Sequence, residues 1–283
     1  GLLATTPALA AKDRLVLGMV LEPPTLDPTS AAAAAIGEIV HYNILEGLTK
    51  IEVDGRVTPL LATGWTESPD GRSYTFTLRK DATFSDGKPL TADAVKFSFE
   101  RAKAEGSKNK AKKAVFDNIS SITVVDPVTV ILVLNNADPS LPFRLGENTA
   151  VILHPDTAEQ AGTEPIGTGP YKLERWQKGS AVTLVARSDA RVKPAIKRVT
   201  FRFINDPAAQ VAALLAGDID GMPRFGAPQS LKQFQSDKRF QVQIGSTAGK
   251  GQLTINNKRK PFDDVRVRRA IMHAIDRKAF IDG

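Results

Sequence analysis

Pro69-Asp70-Gly71-Arg72-Ser73-Tyr74-Thr75-Phe76-Thr77-Leu78-Arg79 and, a few residues on, Phe84-Ser85-Asp86-Gly87-Lys88-Pro89-Leu90-Thr91-Ala92-Asp93-Ala94-Val95 place a strand and a helix in immediate succession. In the first stretch Pro69 presets φ and Gly71 accepts a positive φ, which makes a turn. Tyr74, Phe76 and Leu78 then alternate with Ser73, Thr75 and Thr77, the period-two pattern of a half-buried strand. Ser85-Asp86-Gly87 repeats the turn. Thr91 suits a helix N-cap and Asp93 suits the first turn, where the helix dipole favours negative charge. Val95, Phe99 and Ala102 recur on one face. A switch from period two to helical period within some thirty residues predicts a mixed α/β chain.

The same alternation of elements extends in both directions. Upstream, Leu15–Leu21 is a short apolar run whose length favours a buried strand, and Pro23-Pro24 forces an extended exit from it. Ala31–Leu48 carries Ile36, Ile39, Val40, Ile44 and Leu48 at helical spacing and predicts a helix closed by Gly47. Downstream, Ile122–Val125 and Val128–Leu134 flank Asp126-Pro127 as a hairpin. Val182, Leu184 and Ala186 predict one strand, and Val199, Phe201 and Phe203 another. Asp206-Pro207 opens a helix that Gly217 closes, with Asp as N-cap and Pro at the first position. Asp218-Ile219-Asp220 leaves it as a short extended piece. Phe240–Ile244 and Leu253–Asn256 read as two more strands. Asp263-Asp264 starts a last helix with an apolar stripe of Val267, Ala270, Ile271, Ala274 and Ile275.

Composition narrows the function classes. A chain of 283 residues exceeds one typical domain, and 42% hydrophobic with 24% charged residues supports a buried core rather than disorder. The formal charge is +7, but lysines and arginines do not interleave with aromatics as a single-strand groove requires, so no nucleic-acid partner is expected. With no cysteine, disulfides and thiol chemistry are excluded. No segment reaches the roughly 18 apolar residues of a membrane span. Residues 1–10 read as the remnant of an export signal, with Ala8-Leu9-Ala10 as a small-x-small cleavage site and Ala11 as the mature start. A periplasmic location follows as the expectation.

No catalytic pattern emerges. His41, His154 and His273 lie far apart and lack metal-ligand spacing. Gly167-Thr168-Gly169-Pro170 has no third glycine at nucleotide spacing and reads as a tight structural turn. Asp218/Asp220 and Asp263/Asp264 adjoin helix ends, where capping accounts for them. The expectation is therefore a non-enzyme with no cofactor and no metal site; a carboxylate hydrolase and a sensor-type regulator are the alternatives from other classes.

These stretches resemble the family 5 extracellular solute-binding proteins of ABC importers. The matching motifs run in family order: Pro24-Thr25-Leu26-Asp27-Pro28, Asn43-Ile44-Leu45-Glu46-Gly47-Leu48, Pro59-Leu60-Leu61-Ala62 with Trp65, and the two stretches quoted first. Gly167-Thr168-Gly169-Pro170-Tyr171, Pro261-Phe262-Asp263-Asp264-Val265-Arg266-Val267-Arg268-Arg269-Ala270 and Ala274-Ile275-Asp276-Arg277 complete the set. Ala94 departs from the family, which often has Asp there. The resemblance implies a bilobed clamshell of periplasmic-binding-protein type. Residues 11–40 and 169–256 would form the first lobe, 41–168 an inserted α+β subdomain, and 257–283 the start of a truncated second lobe.

It also implies a receptor that delivers a peptide, or a nickel- or opine-type solute, to ABC permease transmembrane subunits by closing two lobes without chemistry, as a monomer. Ligands in such folds meet loops at strand ends. That rule points to Glu22, Pro23, Pro24 and Thr25 after the first strand, which serve equally as a simple strand exit. Ser246, Thr247 and Gly249 between the two late strands are the second choice. Leu253, Thr254, Asn256 and Asn257 would be the hinge. Much of the family's pocket belongs to the second lobe, so residues 11–283 alone are expected to bind solute weakly.

Overall fold

The computed structural model describes residues 12–245 and 252–282. The chain divides into two compact units between Leu231 and Lys232.

In chain order the first unit contains β1 (Arg14–Met19), α1 (Ala34–Val40), β2 (Thr49–Ile51), β3 (Val57–Pro59), β4 (Ala62–Glu67), β5 (Ser73–Leu78) and α2 (Ala92–Lys103). There follow β6 (Ile119–Asp126), β7 (Thr129–Leu134), the single turn α3 (Leu141–Arg144), β8 (Tyr171–Gln177), β9 (Ala181–Ala186), β10 (Arg198–Phe203) and α4 (Pro207–Ala216). Helix α5 (Leu231–Ser236) crosses the division, and the second unit adds α6 (Val265–Ala274) and α7 (Arg277–Asp282).

Two four-stranded sheets organise the first unit. One has the order β1-β10-β9-β8, the other β4-β5-β7-β6, and β2-β3 is a separate two-stranded hairpin. The opening strand β1 runs parallel to β10, Arg14 opposite Arg198 and Met19 opposite Phe203; all other pairings within these sheets are antiparallel. Edge strand β8 carries a bulge between Leu173 and Arg175, with Lys172, Glu174 and Arg175 exposed. Charges and a bulge on an edge discourage pairing with a further strand.

Each large sheet buries one face on its own apolar core. Tyr74, Phe76 and Leu78 from β5 and Val130 and Leu132 from β7 meet Val95, Phe99 and Ala102 of α2. The alternation and the helical stripe read from the sequence thus face one another. In the second core, Ile36, Ile39 and Val40 of α1 lie on Val182, Leu184, Val199 and Phe201 of the other sheet. Each such side chain contributes about 1.5–3 kcal/mol by leaving water.

Three polar junctions tie the two sheets together. The Arg187 guanidinium, 2% exposed, donates to the carbonyls of Thr83, Phe84, Gly167 and Gly169, to the Thr83 hydroxyl and to Asp189. Buried Asp27 accepts from the Thr29 hydroxyl (2.6 Å) and from Arg101 of α2 (3.2 Å). Gly167–Gly169 runs along Asn43–Ile44, with Gly169 N–H donating to the Ile44 carbonyl at 2.9 Å. A β-carbon on Gly167 would lie 2.0 Å from that carbonyl oxygen, and one on Gly169 2.4 Å from the Asn43 oxygen, so only glycine fits.

Several local expectations hold. Gly71 and Gly87 adopt φ of +67° and +90° in their turns. The Asp206 carboxylate accepts from Ala209 N–H at 2.7 Å as the N-cap of α4, and Asp264 caps α6 through Arg266 N–H. Others do not. The helix expected over Ala31–Leu48 covers only Ala34–Val40: Tyr42 turns the chain at φ 62°, and Tyr42 N–H bonds the Leu45 carbonyl instead of continuing the spiral. Phe240–Ile244 and Leu253–Asn256 are irregular and largely exposed. Alternation prepares a strand, but a strand exists only when a neighbour supplies its ladder. Asp218–Asp220 does run beside β1, with Asp220 N–H bonded to the Val16 carbonyl and Gly18 N–H to the Gly221 carbonyl.

In the second unit, Phe234 and Phe240 meet edge to face with centroids 4.9 Å apart. No residue of α6 is buried among the described side chains, so its apolar stripe stands open.

Candidate functional site

Helix α1 follows the exit from β1, and its inner face, Ala35, Ile36, Ile39 and Val40, is spent on the core. Its outer side therefore presents Glu38 and, one turn on, His41. Two adjoining clefts share Glu38, and a third is walled by His41. The smallest, about 160 Å³, lies between Gly18–Glu22, Ala33–Ala35, Glu38 and Arg224. A second, about 340 Å³ and mostly apolar, lies over Leu15, Leu17, Tyr171 and Phe201 and also touches Glu38. The third, about 420 Å³, is walled by His41, Lys110, Arg144, Glu147 and Asn148.

Buried polar atoms without hydrogen-bond partners concentrate here. Among the described residues these atoms are Glu38 Oε1, His41 Nε2, Glu46 Oε2, Arg144 Nε and Thr168 Oγ1. Glu38, His41 and Arg144 belong to walls of the three clefts. Glu38 Oε1 has the Arg224 guanidinium 2.6 Å away and Arg144 Nε has Asp138 at 3.2 Å, both as ion pairs without hydrogen-bond alignment. A buried donor or acceptor left unpaired costs about 1–3 kcal/mol. Of the three, only His41 Nε2 has no partner of either kind, because Glu38 and Arg144 each face an opposite charge.

Burial pushes the His41 imidazole down to about 4, so it is neutral at physiological pH. Burial pushes the Glu147 carboxyl up, opposed by the nearby Arg144 charge. The His41 ring stacks on Tyr42 with centroids 3.8 Å apart. Tyr42 is itself pinned: its hydroxyl donates to the Gly146 carbonyl (2.8 Å) and accepts from Ile51 N–H (3.1 Å).

The residues proposed from sequence fall as follows. Glu22 lines the 160 Å³ cleft, with its carboxylate accepting from Trp176 Nε1–H (3.0 Å) and from Gly179 N–H (3.0 Å to Oε2). Pro23 is buried and Pro24 exposed. Thr25 donates to the Gly162 carbonyl at 3.3 Å. Glu22–Thr25 thus stands at the end of β1 beside α1, with Glu22 and Thr25 engaged by the protein itself. Ser246, Thr247 and Gly249 lie outside the described residues. Leu253, Thr254, Asn256 and Asn257 form an irregular stretch, in which Asn256 turns back to accept from Lys258 N–H at 3.0 Å. Glu38, Arg144 and Glu147 had no sequence signal: each is an ordinary charged residue until the fold strips water from it.

A larger groove of about 720 Å³ runs along β8 between Asp156–Ile166 and Lys172–Lys178. None of the unpartnered buried atoms lies in its wall, whose charged side chains are Lys172, Glu174 and Arg175 of edge strand β8 together with Asp156, Glu164 and Lys178.

The fold is that of the periplasmic binding proteins: the chain superposes on NikZ from Campylobacter jejuni, solved with Ni(L-His), with a TM-score of 0.87 and 27% identity over 96% of this chain and 55% of that one. The chain belongs to the family described as bacterial extracellular solute-binding proteins, family 5 Middle, which matches residues 56–283. It is also similar to DppA from Helicobacter pylori in complex with the peptide STSA, with a TM-score of 0.85 and 26% identity over 95% of this chain and 57% of that one. A curated relative, the glutathione-binding protein GsiB of Salmonella paratyphi A, is 31% identical over 288 residues, covering 99% of this chain and 55% of GsiB. The chain spans about half the length of the curated relatives it matches. Among the described residues no helix is long and apolar enough to cross a membrane.

Proposed function

We propose that this chain is the solute-capturing part of an extracytoplasmic receptor that hands a peptide or a similar small solute to the permease of an ABC importer. The observation that carries this reading is a pair of adjoining clefts that share Glu38 and Met19 where β1 ends beside α1. A receptor of this kind needs no reactive group. It gains affinity by enclosing a ligand and satisfying polar groups that water has left. The relatives agree in role: those named above bind glutathione, a nickel–histidine complex or a peptide. The nickel- or opine-type reading is the second, supported by the likeness to NikZ and to a mannopinic acid binding protein of 26% identity.

In this reading the protein is exported, acts in the periplasm as a monomer and carries out no catalysis. Residues 11–40 and 169–256 form one lobe, 41–168 an inserted subdomain, and 257–283 begin the other lobe. The separate sheets and cores support the first two parts. Glu22–Thr25 contributes the rim of the smallest cleft. Leu253, Thr254, Asn256 and Asn257 act as the hinge, supported by the irregular backbone of that stretch.

Native mass spectrometry of the protein, purified gently from the cells that make it, tests the proposal. A small molecule that stays bound in the native state and leaves on unfolding is expected. Conversion of that molecule into a product by the purified protein would overturn the receptor reading.

A further inference from the structure

The segment that follows α2 displays charge that the fold leaves uncommitted. Lys108, Lys110 and Lys113 are exposed, and among the described residues none of them has an ion-pair or hydrogen-bond partner for its ammonium group. The backbone beneath them is fixed. Asn109 is buried; its amide donates to the Thr149 carbonyl and its side-chain oxygen accepts from Ala111 N–H, each at 2.8 Å. Ala111, Val115 and Phe116 belong to the core that α2 covers. Lys112 N–H bonds the Asn109 carbonyl and Val115 N–H the Ala111 carbonyl, which winds the segment into a turn. Residues three apart share a side of such a turn, and this groups Lys110 with Lys113. The other charges nearby are spent: Lys112 on Asp117, Lys103 on the Ile119 carbonyl, Glu100 on Lys96 and Arg144 on Asp138. Burial pushes the Glu147 carboxyl up, toward its neutral form. Glu105 alone opposes the three lysines within residues 104–114.

We infer that residues 104–114 form a docking platform for an anionic membrane surface, with Lys108, Lys110 and Lys113 meeting lipid phosphates. Charge complementarity carries the inference, and the surroundings of the lysines choose the partner. The exposed neighbours Ala104, Gly106 and Ala114 are small, so long lysine stems reach a flat surface before anything else does. A specific protein partner draws its affinity from buried aromatic or large apolar anchors, and residues 104–114 expose none. Single-stranded nucleic acid needs aromatic platforms for its bases, which are equally absent. Fluid headgroups need neither: they rearrange around mobile ammonium groups, and each lysine close to an anionic surface gains about fivefold in partitioning. With no side chain to wedge between acyl chains, the attachment is purely electrostatic and reversible. Such attraction confines the search for a membrane-embedded partner to the surface where that partner lies.

Co-sedimentation of the protein as made in the cell with lipid vesicles tests this. Vesicles of equal parts phosphatidylglycerol and phosphatidylcholine are compared with phosphatidylcholine alone. Binding to the anionic vesicles only is expected, and it should vanish when salt near 1 M shortens the screening length to about 3 Å. The combined variant Lys108→Gln, Lys110→Gln, Lys113→Gln is expected to bind on the order of a hundredfold more weakly. A second variant, Lys172→Gln, Lys232→Gln, Lys238→Gln, removes the same charge from exposed positions elsewhere and is expected to change binding by no more than about twofold. All six positions are exposed, so folding is not at risk. No binding, equal binding to the two kinds of vesicle, or equal loss in the two variants overturns the inference. Binding to vesicles that carry the cell's own membrane proteins, but not to bare lipid, would assign the lysines to a protein partner and overturn it too. The receptor reading is judged separately, by whether the native protein carries a solute.

Discussion

Arg187 and Thr83 stand 104 residues apart in the chain, yet the guanidinium of one donates to both the carbonyl and the hydroxyl of the other, each at 3.0 Å. The same group reaches the Phe84, Gly167 and Gly169 carbonyls. One planar fork therefore joins the strand β9 exit, the Phe84–Gly87 turn and the Gly167–Gly169 segment. Arg187→Met removes the donor to the Thr83 and Gly169 carbonyls, leaves the Phe84 and Gly167 carbonyls only their backbone donors, and is expected to cost about 3–5 kcal/mol. Arg187→Lys recovers little of this, because an ammonium has three donors and no fork. Urea denaturation midpoints at constant slope check both.

Gly167 and Gly64 offer a paired test of close approach. A β-carbon at Gly167 meets backbone at 2.0 Å, whereas one at Gly64 meets nothing within 4 Å. Gly167→Ala is expected to destabilise by at least ~2 kcal/mol, since backbone must move. Gly64→Ala is expected to be neutral or to stabilise by up to about 1 kcal/mol, through the unfolded chain. Thermal melts of the two variants side by side decide it; equal melting temperatures would refute the assignment of Gly167 to a contact.

His41 makes stability depend on pH. Burial lowers its folded-state value from 6.5 to about 4. Below the ordinary imidazole value the unfolded chain takes up a proton that the folded chain refuses, so stability rises with pH across this window. Acidifying from pH 6.5 to 4 is expected to remove on the order of 2 kcal/mol through this residue. His41→Gln should flatten that part of the profile. An unchanged slope in the variant would show that the imidazole is not shielded from water.

Asp206 caps α4 through Ala209 N–H at 2.7 Å, with Pro207 behind it in the first turn. Asp206→Ala is expected to cost about 1 kcal/mol and Asp206→Asn a few tenths, because asparagine caps nearly as well. Chemical denaturation resolves a difference of that size.

Local chemistry made much of this architecture readable before any coordinates. Tyr74, Phe76 and Leu78 announce β5 because period two is a property of neighbouring residues, and Asp206 with Gly217 brackets α4 for the same reason. Where the outcome depends on distant partners, sequence says less. Ile44 and Leu48 continue a helical stripe, yet Tyr42 breaks the helix because its hydroxyl is held by Gly146 and Ile51. Phe240–Ile244 and Leu253–Asn256 alternate correctly but pair with no strand among the described residues. The strand-end rule reached Glu22, at the edge of the right surface. It missed Glu38 and Arg144, whose ion pairs with Arg224 and Asp138 arise only when the fold brings these residues together.

The parallel pairing of β1 with β10 has a consequence for how the protein is made. Arg14 finds its partner at Arg198, 184 residues later (198 − 14). At a synthesis rate of roughly 5–20 residues per second, the first strand waits about 10–40 s before its ladder can exist. Through that interval the amino-terminal segment stays unfolded by topology alone, and open to any machinery that threads unstructured polypeptide through a pore.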